Sequence, residues 1–415
     1  MGNAAMHHRT GTATVTVVDS DGATRAHTPV TVEQTNHQFG FGNIGFDLIA
    51  YANGESEAAA NVFGGASAAH GDLLADLWLG VFNMATLPFY WSGFEPQPGE
   101  PDTARLLATA RWFKERGVMV KGHPLLWHTL APPWLKGMPD AELEATVRAR
   151  ITREVTDFAG VIDVWDAINE AVILPVFDKD DNAITPLAQR RGRVAMVRMA
   201  FETARAANPA ARLILNDFDL SEDYEHLIEE CLAAGIVIDA LGVQTHMHQG
   251  FRGEDQISEI LDRFSRFDLP IQMTETTLVS GDLMPAHIVD LNDYQVESWP
   301  STPGGEERQA NEMIRHYRTV VAHPSVESLT YWGLTDEGSW LGAPAGLVRA
   351  DGTTKPSYDA LRDLIRGEWW VSPTELGTDA DGRVTIEGFG GTYRVAGVDL
   401  EIAAGTHLNH SITVD

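Results

Sequence analysis

Residues 118–170 hold the decisive stretch: VMVKGHPLLW (118–127), AELEATVRARITREVTDF (141–158) and VIDVWDAINE (161–170). The outer two are short apolar runs. The middle one places apolar residues at three- and four-residue intervals, so the order reads strand, helix, strand. The same alternation continues in both directions. Further apolar runs stand at 37–44, 81–89, 212–218, 239–246, 270–275 and 328–334. Helical patterns lie at 103–117, 188–207, 223–235, 257–267, 306–322 and 357–367, as in Leu227, Ile228, Cys231 and Leu232. Eight strands, most followed by a helix, predict an α/β fold, a (β/α)8 TIM barrel over 37–368. A doubly wound open sheet competes, but no glycine-rich fingerprint follows the first strand.

The two ends read differently. TATVTVVDSDGATRAHTPVTVEQT (12–35) alternates Val and Thr around Ser20-Asp21-Gly22, and 382–415 is strand-like with glycine turns. Neither end is long enough for a core of its own. The expectation is that segments 1–36 and 369–415 pair into one small β-sandwich against the barrel. No internal repeat or low-complexity tract is present.

The 415 residues carry 59 acidic and 30 basic side chains, a net charge of −29. Such a chain repels phosphate backbones and anionic lipid, which argues against nucleic-acid and membrane partners. The single cysteine, Cys231, excludes a disulfide framework and a cysteine metal cluster. The histidines show no HExxH spacing, so no metal or cofactor is expected. Met1–Gly11 lacks an apolar core of a leader, and a cytoplasmic location is the expectation. The sequence leaves the oligomeric state open.

Barrel chemistry belongs at the C-terminal ends of strands. Those ends supply His123, Trp127 and His128; Asn169 and Glu170; Asn216 and Asp217; Gln244 and His246; Glu275; and Trp332, Asp336 and Trp340. Carboxylates across a cleft, with aromatic platforms and amides, suit cleavage of a glycosidic bond. Each has a plainer reading too. His123 and His128 also fit as core histidines, Trp165 as packing, and Asp217 as a bridge between strand ends.

Five ordered blocks carry a family resemblance: Gly122-His123 to Trp127-His128, Trp165-Asp166 to Asn169-Glu170, Ile238-Asp239 to Gln244-Thr-His246, Leu269-Pro270 to Thr274-Glu275, and Trp332 to Asp336 and Trp340. Together they resemble glycoside hydrolase family 10, the xylanase family. The resemblance implies that Glu170 is the general acid/base and Glu275 the nucleophile of a retaining double displacement, their carboxyls about 5–5.5 Å apart. It implies that Asn169 holds the sugar 2-hydroxyl, that His246 orients Glu275, and that His123 and Trp332 wall the sugar. Trp127, Gln244 and Trp340 complete the binding shell, with Tyr90, Trp91 and Asn216 as further candidates.

Three places depart from the family pattern. Where family members carry Glu-Asn-x-Met-Lys-Trp after strand two, this chain has Thr86-Leu87-Pro88-Phe89-Tyr90-Trp91, predicted here as an apolar lining. Leu130 stands where a Gln is usual. Glu-x-Asp after strand seven is Glu275-Thr276-Thr277, leaving His246 without its carboxylate partner. The connection from Thr276 to about Pro303 is long and contains Tyr294 and Trp299, the mark of a functional wall or lid. The five blocks imply endo-β-1,4-xylanase-like hydrolysis of xylan or xylo-oligosaccharides, while the departures, which remove polar grips on distal sugars, point toward short or small glycosides. The competing readings are release of sugar from a small aglycone, as in tomatinases acting on saponins, and a sugar-binding pseudoenzyme.

Overall fold

The computed structural model describes residues 3–55 and 70–414. Eight parallel strands close into a barrel: β3 (Gly40–Ile44), β4 (Met84–Pro88), β5 (Met119–His123), β6 (Val164–Asn169), β7 (Arg212–Asp217), β8 (Ala240–Met247), β9 (Ile271–Leu278) and β10 (Val326–Tyr331). β10 pairs with β3 and so closes the ring. These strands are buried on the outer face by the helices around them and on the inner face by the side chains that fill the barrel. That is why they read as nearly continuous apolar runs in the sequence.

The helices fall where the periodicity placed them, with one division. Expected as one helix over 188–207, that segment belongs to two, Ile184–Arg191 and Arg193–Ala207. Gly192 between them has φ 83°, a conformation that ends a helix and favours glycine. The helices Ile49–Ala52 and Gly71–Leu79 after β3 were not expected from the sequence.

The two termini meet. β1 (Thr10–Val18) lies between β12 (Arg383–Phe389) and β15 (His407–Thr413). β2 (Pro29–His37) lies between β11 (Thr374–Gly377) and β13 (Gly391–Val395), which pairs with β14 (Val398–Ile402). Alternate side chains of both sheets, among them Val15, Val17, Val32, Ile386, Tyr393 and Ile402, form one core. Arg9 ties this unit to the barrel by donating to the carbonyls of Val321, His323 and Val326.

The barrel ladder sets the height of the site. It pairs Asn169 with Asn216 and Gln244 with Glu275. The register slips just before each pair, between Asp166 and Ile168 and between Val243 and Gln244. Such bulges re-aim the side chains that follow them. Gly242 leaves room for Asn216: a Cβ there would stand 2.3 Å from its amide oxygen.

Candidate active site

Glu170 follows β6 and Glu275 lies near the end of β9, three strands apart round the ring. A chain of amides joins them. Asn216 Nδ2 donates to Glu275 Oε1 at 3.0 Å and to Asn169 Oδ1 at 2.7 Å, and Asn169 Nδ2 donates to Glu170 Oε1 at 3.1 Å. Gln244 donates to Asn169 Oδ1 at 3.0 Å, and Thr274 to Asn216 Oδ1 at 2.6 Å. Every link is itself anchored, so both carboxyls have fixed positions. Glu170 also has φ 57°, held by its N–H bond to the Asn216 carbonyl at 2.8 Å. Backbone held in this region by its surroundings is characteristic of functional sites.

The surroundings of the two carboxyls differ. Glu170 accepts one bond from Trp127 Nε1 at 2.8 Å and has His128 Nε2 at 3.9 Å. His128 gives it no charge: burial, with Phe177 packed 4.2 Å away, pushes its pKa down to about 3. Burial, and then repulsion from Glu275, push the Glu170 carboxyl up to about 8. Burial raises Glu275 as well, but His123 and the bond from His246 outweigh it and hold this carboxyl below the ordinary glutamate value. His246 Nε2 stands 3.0 Å from Glu275 Oε2, and His123 Nε2 3.8 Å from Oε1. Burial and like charge thus favour the proton on Glu170, while the two histidines favour the charge on Glu275, the opposed environments that suit an acid and a nucleophile.

Beneath Glu275 lies a network that the sequence reading missed. Lys121 and Asp166 are fully buried, with Nζ 3.0 Å from Oδ2, and the same oxygen meets His123 Nδ1 at 2.7 Å. A lysine inside an apolar strand run was the available signal, since buried lysines are nearly always paired. Thr277 takes the place of the missing carboxylate. Its hydroxyl lies 3.2 Å from His246 Nδ1 and 3.4 Å from His248 Nδ1.

Aromatic rings wall one side. Trp332 meets His123 edge-on at 5.2 Å and Phe46 at 5.8 Å, while Tyr90 lies 5.7 Å from both His123 and Trp127. Trp340, 37% exposed, covers His246 at 4.9 Å and His248 at 5.2 Å. Phe46 was not anticipated.

Three expectations change. Trp91 is taken up by packing instead of the site: it is buried, its Nε1 donates to Glu95, and Arg150 stacks over its ring. Leu87 and Phe89 do not form an apolar lining, because both are fully buried and Phe89 packs on Phe94, Phe158 and Trp165. Tyr90 alone of that segment borders the site. Asn216 is fully buried and spends its amide on Asn169, Thr274 and Glu275, so it positions the catalytic pair rather than gripping substrate. Asp217 accepts from the backbone of Val172 and Asp219, and Asp336 pairs with Lys355 at 2.7 Å; both are structural. Among the described residues no group of His, Cys, Asp and Glu could hold a metal.

A parallel barrel with an acid and a carboxylate facing across its mouth, between aromatic walls, has the design of a glycosidase. The family model described as glycosyl hydrolase family 10 matches residues 89–364, and the chain belongs to that family. Its relatives include Endo-1,4-beta-xylanase C of Paenibacillus barcinonensis, 27% identical over 301 residues, covering 62% of this chain and 26% of that protein. Anti-sigma-I factor RsgI6 of Acetivibrio thermocellus is 25% identical over 389 residues, 92% of this chain and 44% of that one. The chain thus spans less than half the length of these two relatives. Among solved structures, xylanase 10B of Thermotoga petrophila in complex with xylobiose matches with TM-score 0.62 at 20% identity, over 80% of this chain and 95% of that one. That likeness is one of fold.

Proposed function

We propose that this chain hydrolyses β-1,4-linked xylose chains, xylan or xylo-oligosaccharides, with retention of configuration. The observation that carries the reading is the opposed protonation of two carboxyls held by one amide chain: Glu170 raised to about 8, Glu275 lowered. Several relatives bear the name endo-1,4-beta-xylanase, and one structural neighbour was solved with xylobiose. These favour a xylan-type substrate over the small-aglycone and pseudoenzyme readings.

The steps follow from the geometry. Glu275, ionised and steadied by His246, attacks the anomeric carbon while Glu170 gives its proton to the departing glycosidic oxygen. A covalent glycosyl-Glu275 forms and the leaving chain departs. Glu170, now a carboxylate, takes a proton from water; the water oxygen bonds to the anomeric carbon and Glu275 is released. Two inversions give net retention. Asn169 keeps a second Nδ2 proton for the sugar 2-hydroxyl, while Tyr90, Trp127, Trp332 and Trp340 offer ring faces to the sugar. The test is proton NMR of fresh hydrolysate from xylo-oligosaccharides and xylan. The β anomer appearing first supports the mechanism; the α anomer first, or no turnover on any β-xyloside, overturns it.

A further inference from the structure

The sugar-walling rings Tyr90, His123 and Trp332 belong to the strands β4, β5 and β10 or follow directly on them. On the side of the carboxyl pair away from them, β7 and β8 stand between β6 and β9 in the ring. A chain lying between Glu170 and Glu275 therefore leaves on that side, between the loop after β6 and the loop after β9.

Those loops touch. Lys179, in the loop after β6, reaches Asp293 Oδ1 at 3.1 Å and Oδ2 at 3.2 Å, and lies 3.7 Å from Asp290, so it joins the loops of two strands that have β7 and β8 between them in the ring. The far bank is firm. Gln249 after β8 donates to the carbonyls of Pro285 and Ile288, and Trp299, Met284 and Val279 pack with Ala343 and Ala345 in a core of their own. The near bank is tied by Lys136 to Asp181 at 3.0 Å. Around Lys179, both banks are acidic: Asp178, Asp180 and Asp181 on one, Asp290 and Asp293 on the other. Lys179 is the cation that joins them. Without it the loops face each other as like charges.

We propose that Lys179 is a specificity-determining latch. It straps the loops after β6 and β9 over the leaving-group half of the cleft, so that short or unbranched xylose chains pass and bulky polymer is restrained until the strap opens. This rests on the xylan reading above. The pair is exposed, with Lys179 51% and Asp293 57% accessible, so it belongs to the class that shifts equilibria by roughly fivefold or less. Salt loosens it, because the screening length falls to about 3 Å at about 1 M ionic strength. A weak latch suits a strap that must open in every cycle on long substrate.

The experiment compares wild type with Lys179→Glu and Lys179→Ala on an aryl β-xylobioside and on soluble xylan, at low and high salt. Hydrogen exchange of 177–182 and 285–297 is followed in the same samples. The expected result is an unchanged rate on the aryl substrate, a xylan-to-aryl rate ratio raised roughly two- to fivefold in Lys179→Glu, and faster exchange in both loops. High salt moves wild type and Lys179→Glu toward a common ratio, since it screens the attraction in one and the like-charge repulsion in the other. Equal ratios with faster exchange show a bridge without influence on substrate and overturn the latch. Unchanged exchange overturns it as well. Wild type inert on both substrates but exchanging differently from the variant sinks the xylanase reading, and with it any role in substrate choice.

Discussion

Two lysine–aspartate pairs in this molecule have nearly the same separation and opposite surroundings. Lys121 and Asp166 meet at 3.0 Å with neither side chain exposed; Lys179 and Asp293 meet at 3.1 Å with about half of each in solvent. Burial makes the first pair indispensable to its own partners, since either charge left alone under the barrel mouth has no water to stabilise it. It fixes His123, and through His123 the field on Glu275. The second pair can exchange with water at little cost, so it can regulate access but cannot hold a catalytic geometry. Floor and rim thus divide the work between fixing atoms and admitting substrate.

The comparison is broken most severely at the floor's product, the tuned carboxyl pair. Glu275→Gln is expected to abolish turnover of every β-xyloside, because no other ionised carboxylate among the described site residues is placed to attack. Glu170→Gln costs about 10²–10⁴-fold, the scale of a lost general acid–base, and least with good leaving groups. Steady-state rates across substrates of graded leaving-group acidity check both. Equal losses at all leaving groups would remove Glu170 from its role.

Next comes the buried pair itself. Asp166→Asn leaves Lys121 charged and unpaired, and the expected loss of stability is about 3–5 kcal/mol by urea unfolding. Adding Lys121→Met to the same variant should recover much of it, since no isolated charge remains. No recovery would mean that Asp166 acts through His123 alone.

The raised Glu170 carboxyl predicts a pH signature. An unfolded glutamate titrates near about 4.3 and this one near about 8, so across that window the folded protein keeps a proton the unfolded chain has lost. Stability then falls as pH rises through the window, by up to about 1.4 kcal/mol per unit. Glu170→Gln, which never ionises, should therefore gain in Tm over wild type from pH 5 to 8 and gain no more above that. Glu275 has the opposite sign: its lowered pKa adds stability above the ordinary glutamate value, lost as pH falls through and below it. The same two groups set the limbs of the rate profile, the alkaline limb near pH 8. A Tm difference independent of pH would contradict the raised carboxyl.

The barrel was legible because all eight strands bury both faces and because site residues cluster at strand ends. Glu170, Asn169, Glu275 and His246 could be read for that reason. Direction at a loop could not: Tyr90 and Trp91 are neighbours, yet one borders the site and the other stacks under Arg150. Leu87 and Phe89 read as a lining because their apolar character fits a subsite and a core equally well. The helix Gly71–Leu79 escaped because its sequence, GDLLADLWL, is short and rich in leucine, with Asp72 and Asp76 alone to mark the solvent face. The links between Lys179 and the loop after β9 span 114 positions and have no local pattern at all.

The smallest effect sharpens the comparison from the rim. Lys179→Ala should change unfolding free energy by less than about 1 kcal/mol, since an exposed pair gains little Coulomb energy and costs side-chain entropy. Raising the salt should shrink that difference further, while the loss in Asp166→Asn stays nearly constant because counterions do not reach the floor. Urea unfolding of both variants at low and high salt measures the contrast directly. Were the Lys179 variant to lose several kcal/mol, the rim would be a structural clamp like the floor, and the division of labour between them would fail.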